Sequence, residues 1–207
     1  NPNNILPILP KLIEAYKNYK VFKFLHIPVQ SGSDKILKAM NRKYKIEDCL
    51  KIISAFKQAF PEITISTDII AGYPGELEED FKESLKLLEE ISPDIFNISR
   101  YWPIKGTEAS LLPQIPSEVA KKRAKQLHDL HLKLAKQNYE KYKEKNNVVW
   151  ALIDDKLGKS FLARDDNYKL IILNQETYLN KFVRVKLGKV YPHYFLGEIV
   201  QNQVNVL

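Results

Sequence analysis

Cysteine is nearly absent from this chain: its 207 residues contain one, Cys49. A single thiol excludes a disulfide framework and any all-cysteine metal site built from these residues alone. Long apolar runs are missing as well. No stretch approaches the roughly 20 residues that cross a bilayer, which excludes a membrane-spanning helix, and Asn1-Pro-Asn-Asn4 carries neither an initiator Met nor a secretory pattern. The expectation is a soluble, cytoplasmic protein with no membrane contact, and a piece of something longer. Repeats and low-complexity segments are lacking too.

What is present is 44% apolar and 28% charged residues, enough for one core and room for a second. The net charge of +7 is unevenly placed: residues 1–60 hold 11 basic and 4 acidic side chains, and residues 61–113 hold 4 and 11. All the excess therefore lies further on, with 9 against 4 in residues 114–147 and 8 against 6 in residues 148–207. A basic helix followed by a basic domain suits a polyanionic partner; a merely solvated helix surface accounts for the charge equally well.

The apolar spacing predicts a helix over Ile5 to Tyr19 with Pro7 and Pro10 in its first turns, then a strand over Val21 to Val29 covered on both faces. Helical spacing returns over Asp34 to Lys43 and Ile46 to Phe60, where Cys49 falls on the apolar stripe as a core residue. Ile63 to Ala71 and Ile95 to Tyr101 read as further strands, with a helical stripe from Leu77 to Ile91 between them. Strands and helices in alternation argue for a parallel α/β sheet. Ser117 is the expected N-cap of a long helix running to Lys145, roughly 40 Å at 1.5 Å per residue. Beyond it, Val148–Ile153, Ser160–Arg164, Tyr168–Leu173, Phe182–Leu187 and Tyr194–Val200 predict five short strands closing into a small barrel of a kind that binds nucleic acid.

Three turns lie where parallel α/β folds place their chemistry. Gln30-Ser-Gly-Ser-Asp34 offers a carboxamide, hydroxyls and free N–H groups suited to a ribose, carboxylate or phosphate, or else simply caps the next helix. In Asp68-Ile-Ile-Ala-Gly72, a branched side chain precedes a residue that allows close approach to the backbone, which suits a flat ring. Arg100 is followed by Tyr101, Trp102, Lys105 and Thr107, cations beside aromatics that could hold an anion and stack on a base, or form an ordinary surface loop. His26, among apolar neighbours, reads as a packed core histidine. In the last 60 residues Trp150, Phe161, Tyr168, Tyr178 and Tyr194 alternate with Lys156, Lys159, Arg164, Lys169, Arg184 and Lys186, and at most two of these rings are expected to be exposed.

The run HIPVQSGSDKILKAMNRKY (26–44), with Thr67-Asp-Ile-Ile-Ala-Gly-Tyr-Pro-Gly-Glu76 and Asn97-Ile-Ser-Arg100, resembles the C-terminal half of the radical S-adenosylmethionine methylthiotransferases, which add a methylthio group to an adenosine beside the tRNA anticodon. The resemblance covers essentially the whole chain and about half of a family member. It implies an α/β fold, half of a radical (βα) barrel in residues 1–116, a connecting basic helix in 117–147 and a TRAM β-barrel that binds tRNA in 148–207. By the same resemblance, S-adenosylmethionine would be held by Gln30, Ser31, Ser33, Ile70 and Gly72, the substrate by Arg100, Lys105 and Thr107, and tRNA by Lys156, Lys159, Arg164, Lys169, Arg184 and Lys186. The family glutamate falls one place later here, at Glu76, and Ile104-Lys-Gly-Thr107 stands where Arg-Pro-Gly-Thr is common. The form Asn97-Ile-Ser-Arg100 is closer to the archaeal and eukaryotic branch, which acts on C2 of N6-threonylcarbamoyladenosine. The family chemistry uses 4Fe-4S clusters, one held by a Cys-x3-Cys-x2-Cys triplet; with Cys49 alone, those ligands, and any catalytic residue, are expected in a missing N-terminal part of the same protein. The competing reading is a non-catalytic RNA-binding protein on an α/β scaffold. A (βα) enzyme using conventional acid–base chemistry would need a His or carboxylate pair at the strand ends, and the sequence offers no convincing one.

Overall fold

A computed structural model describes residues 1–202. Two prolines fragment the first helix, because each lacks the N–H that would continue the ladder: α1 (Pro2–Ile5) passes through a 3-10 turn (Leu6–Ile8) into α2 (Leu9–Tyr16). The first strand is also shorter than its apolar run. β1 is Phe24–His26: Ile27 N–H still donates to Ser66 O (2.8 Å), but Val29 N–H turns to the Thr67 hydroxyl (3.2 Å), and backbone pairing returns with Gln30 N–H to Asp68 O (2.8 Å) and Ile70 N–H to Gln30 O (2.9 Å). Then follow α3 (Asp34–Ala39), α4 (Ile46–Ala59), β2 (Thr64–Ala71), α5 (Glu78–Ile91), β3 (Ile95–Arg100), a short α6 (Glu108–Leu111) and the long α7 (Ser117–Lys145). The cap of α7 is Pro116 rather than Ser117, which is already helical.

The three strands pair in parallel in the order β1-β2-β3. One face is packed: Leu25, Ile65, Ile69 and Phe96 meet Phe56, Phe81 and Leu88 of α4 and α5, all nearly solvent-free. The other face carries His26, Asp68, Asn97 and Ser99 and is open toward its carboxyl end, while Phe24 and Thr64 at its start lie under the barrel, so β1 is covered on its second face only in part. Cys49 is fully buried in the core, as its spacing indicates.

β4 (Val148–Leu157), β5 (Ser160–Asp165), β6 (Leu170–Leu173), β7 (Lys181–Val190) and β8 (Phe195–Asn202) close a barrel in the order β4-β5-β6-β8-β7. Alternate residues such as Ala151, Ile153, Val183, Val185 and Leu187 fill it. Helix α7 serves both cores. Leu127 and Leu134 pack into the α/β core, while Tyr139 and Tyr142, further along the same stripe, pack into the barrel.

The barrel also grips the sheet directly. Asp166 O accepts from Lys23 N–H (2.7 Å), Asn167 O accepts from the Thr64 hydroxyl (2.5 Å), and Tyr168 packs its ring 5.0–5.1 Å from Phe22 and Phe24. Below them Lys169 and Asp94, 3% and 7% exposed, form an ion pair at 2.6 Å, and the other Asp94 oxygen accepts from Ile65 N–H at 2.9 Å. Lys169, expected among the RNA-facing cations, is therefore committed to this seam. Tyr142 donates to Asp165 (2.6 Å), whose carboxyl burial pushes up to about 6.

His131 of α7 accepts from Phe96 N–H (3.3 Å) and lies 4.7 Å, centroid to centroid, from His193 in the β7–β8 turn. Burial, with His193 and His128 adding to it, pushes the His131 imidazole down to about 4. Because the unfolded value is higher, this histidine costs no stability above about pH 6.5 and progressively more as the pH falls toward 4, up to about 3 kcal/mol. His131→Gln, which keeps an acceptor for Phe96, is expected to gain on the parent through that window in urea titrations, whereas a constant difference between pH 7 and 4.5 would remove the account. The comparison with the variant matters because Asp165 titrates in the same range with the opposite sign.

Candidate functional site

At the carboxyl ends of β2 and β3 a cavity of about 420 Å³ is lined by Gly72, Ser99, Arg100, Tyr101 and Trp102, and on its far wall by Gln114, Ile115 and Ala120. That volume suits a nucleoside-sized ligand. Arg100 sits at the end of β3 opposite Ala71 and is exposed; Trp102 is 81% exposed. The Tyr101 hydroxyl is buried and has no hydrogen-bond partner, while its ring packs edge-on against Tyr73 at 5.1 Å. An orphaned donor beside a cavity is a group a ligand could satisfy.

The glycine turn is closely packed. Gly72 has φ +78, and a Cβ there would meet Ala120 Cβ at 2.8 Å, so its small size lets α7 come close. Glu76 holds this turn: its carboxylate, 1% exposed, accepts from Gly72 N–H (2.9 Å) and from Arg123 of α7 (2.7 Å). Burial pushes the Glu76 carboxyl up, opposed by those two donors. Glu76, one place out of the family register, is thus a structural clasp between the strand-end turn and α7.

The Gln30–Asp34 turn divides its residues between two tasks. Gln30 is half-buried at φ +68, a left-handed conformation uncommon outside glycine and held here by its two bonds to β2. Ser31 and Ser33 are 0% and 2% exposed. Ser31 Oγ accepts from Ser33 N–H (3.2 Å), and Ser33 Oγ donates to Asp80 (2.8 Å), which also pairs with Lys35 at 2.7 Å. Burial alone would raise the Asp80 carboxyl, but donors from Lys35, Leu77 N–H and Ser33 draw it below the usual range. Gly32 N–H donates to Ser84 (2.8 Å), and a Cβ on Gly32 would strike Ser84 Cα at 2.4 Å. Of the two serines expected to face the cofactor, Ser33 ties the turn to α5 and Ser31 braces the turn from within.

Ile70 is half-buried on the open face, in register with Ser99. Lys105 and Thr107 do not line the cavity: Thr107 donates to Ile104 O (2.8 Å) in a tight turn and both are exposed. Among the barrel cations, Arg164 pairs with Asp154 and lies over Tyr168, and Lys156 lies over Phe161. Trp150 (44%), Tyr178 (77%) and Tyr168 (36%) are exposed, one ring more than expected, while Phe161 is buried.

Sequence reasoning missed a polar cluster on the open face. His26, 43% exposed and not a core residue, contacts Asp68 at 3.3 Å and Ser66 Oγ at 3.1 Å, and Asn97 donates to Asp68 (2.9 Å). Period-two placement of Ser66 and Asp68 in β2 was the available signal; the pairing of His26 with Ser66 needs the register between strands. Ser66 is 3% exposed, which rules it out as an accessible nucleophile.

A 4Fe-4S cluster does not fit this chain. Cys49 is fully buried with its thiol pushed up to about 12 by burial, and among the described residues no group of three or more His, Cys, Asp or Glu could hold a metal. No helix among them is long and apolar enough to cross a membrane.

Residues 2–88 match the model of the radical SAM superfamily. The chain is 42% identical over 97% of its length to a probable threonylcarbamoyladenosine tRNA methylthiotransferase of Pyrococcus horikoshii, covering 47% of that protein, and 39% identical over 98% of its length to one of Archaeoglobus fulgidus, covering 47%. It therefore spans about half the length of the curated relatives it matches. Among solved structures, coproporphyrinogen III oxidase (HemN) from Escherichia coli, described as a radical SAM enzyme, aligns with 84% of this chain and 43% of its own at a TM-score of 0.49 and 13% identity. Residues 2–88 are thus similar to the radical SAM superfamily, and the relatives align with this chain through both the sheet and the small barrel.

Proposed function

We propose that this chain is the C-terminal half of a radical S-adenosylmethionine tRNA methylthiotransferase acting on C2 of N6-threonylcarbamoyladenosine, with residues 1–116 as half of the barrel, 117–147 as the connecting helix and 148–207 as a TRAM-type domain that holds tRNA. The observation that carries this reading is the cavity at the strand ends, where Arg100, Tyr101 and Trp102 gather beside Gly72 in a chain whose relatives bear that name. S-adenosylmethionine, which supplies the radical and the methyl group when bound, would lie over Gln30, Ile70 and Gly72, with Ser31 and Ser33 fixing the turn beneath it. Arg100 would take an anionic group of the substrate, Trp102 would stack on its base, and the Tyr101 hydroxyl would donate into the cavity. Lys105 and Thr107, on the exposed turn beyond, would bound the entrance. The clusters would be held by the rest of the protein.

The test compares this chain with the protein that includes its upstream coding region. After anaerobic reconstitution with iron and sulfide, the longer protein is expected to form 5′-deoxyadenosine and methylthiolated tRNA, and the chain alone neither. An upstream region without a cysteine triplet, or product from the chain alone, would sink the proposal.

Binding of tRNA can be measured separately on this chain, because residues 117–207 carry a net charge of +7. If about four phosphates are contacted, affinity should fall about a hundredfold between 50 and 200 mM salt and vary little with sequence. A flat anisotropy response to salt would remove the electrostatic account.

A further inference from the structure

The cations of the small barrel are not equivalent. Lys169 is buried against Asp94, Arg164 is paired with Asp154, Lys156 near the end of β4 lies over Phe161, and Lys159 sits in the exposed β4–β5 turn. Two more, Arg184 and Lys186, lie on the outer face of β7 beside β4. The strand register sets Val148 opposite Lys186, Trp150 opposite Arg184, and Leu152 opposite Phe182, all on one face because successive side chains alternate and the intervening Ala151, Val183 and Val185 point into the barrel. Trp150 is 44% and Phe182 49% exposed, and the Arg184 guanidinium lies 6.0 Å from the Trp150 ring.

Two uncovered aromatics interleaved with two cations are costly on a solvated sheet unless they meet a ligand. Glu198 of β8 stands in register with Lys186. Cations beside flat rings suit a phosphate backbone whose bases are free to stack, and duplex RNA hides its ring faces inside the helix. We infer that the β4–β7 face binds unpaired nucleotides of an RNA, with Trp150 and Phe182 stacking on bases and Arg184 and Lys186 holding the adjoining phosphates. This rests on the tRNA-binding reading above and narrows it to one face and to single-stranded RNA.

The experiment uses the full 207-residue chain carrying Trp102→Phe, so that Trp150 is the remaining tryptophan. Oligouridylate, an unstructured single strand, is expected to quench Trp150 fluorescence and to bind more tightly than a blunt RNA duplex of the same length. By anisotropy with labelled oligouridylate, Trp150→Ala should weaken binding about tenfold. Arg184→Glu with Lys186→Glu should weaken it tenfold or more, and the neutral pair Arg184→Gln with Lys186→Gln should make the log–log salt slope shallower by about 1.4. Lys82→Gln with Lys86→Gln, two exposed lysines of α5, serves as the comparison and should change affinity less than threefold. Circular dichroism melts check that each variant folds, and a neutral pair that folds but binds as the parent does overturns the inference. If tRNA binds while Trp150 stays silent, or if the duplex is preferred, this face is not the site and the tRNA reading stands. If neither tRNA nor oligouridylate binds the parent chain, the inference falls together with the tRNA-binding reading. Burial of the same face by another protein segment without any RNA effect would equally overturn it.

Discussion

Replacing Asp94 by Ala is expected to destabilise the chain by about 3–5 kcal/mol, a large part of the 5–15 kcal/mol typical of a domain. The substitution strands Lys169, 3% exposed, as a buried unpaired charge and removes the acceptor for Ile65 N–H at the start of β2. Since the pair joins the barrel to the sheet, the parent should unfold in one cooperative transition in urea, and Asp94→Ala in two separated ones. Converting both partners together, Asp94→Leu with Lys169→Met, should recover much of the loss, because two apolar side chains carry no desolvation penalty. A double variant as unstable as Asp94→Ala would show that the charge balance is not what the seam depends on. The same seam covers the start of β1: Phe22 and Phe24 are packed on Tyr168 and Lys23 N–H is paired with Asp166, so this apolar edge is blunted against pairing with another chain.

The second large effect is expected at Glu76. Glu76→Ala removes the carboxylate that binds both Gly72 N–H and Arg123, leaving the guanidinium buried beside Phe81 with Glu78 at 3.4 Å as its remaining carboxylate. The cost should again be about 3–5 kcal/mol, and Glu76→Gln, which keeps an acceptor for Gly72, should lose less. Hydrogen exchange at the Gly72 amide should accelerate in Glu76→Ala well beyond the change in global stability, since the turn and its contact with Ala120 are released locally. Equal protection of Gly72 in parent and variant would show that the turn holds without its clasp.

These residues also mark where the sequence was legible. Periodicity located Cys49, Phe56, Phe81 and Leu88 in the core and gave the five barrel strands their places to within a few residues, because burial repeats with the backbone geometry of each element. The breaks in α1–α2 and after His26 emerged only once backbone bonding was known.

Polar residues were read less well, because a Ser, Lys or His has the same local sequence whether it faces a ligand or closes a hydrogen bond across the fold. Ser33 bonds to Asp80, 47 positions away, and Lys169 to Asp94, 75 positions away. Local sequence by itself determined the alternation of strands and helices, the change to an all-β barrel after Asn147 and the scarcity of thiols for a cluster, each of which depends on residue type and short-range spacing. Tertiary structure alone decided that Glu76 is a clasp, that His26 meets Asp68 on the open face, and that Trp150 and Phe182 share one outer face with Arg184 and Lys186. Those assignments depend on strand register and on the approach of α7, which bring together residues that no local pattern connects.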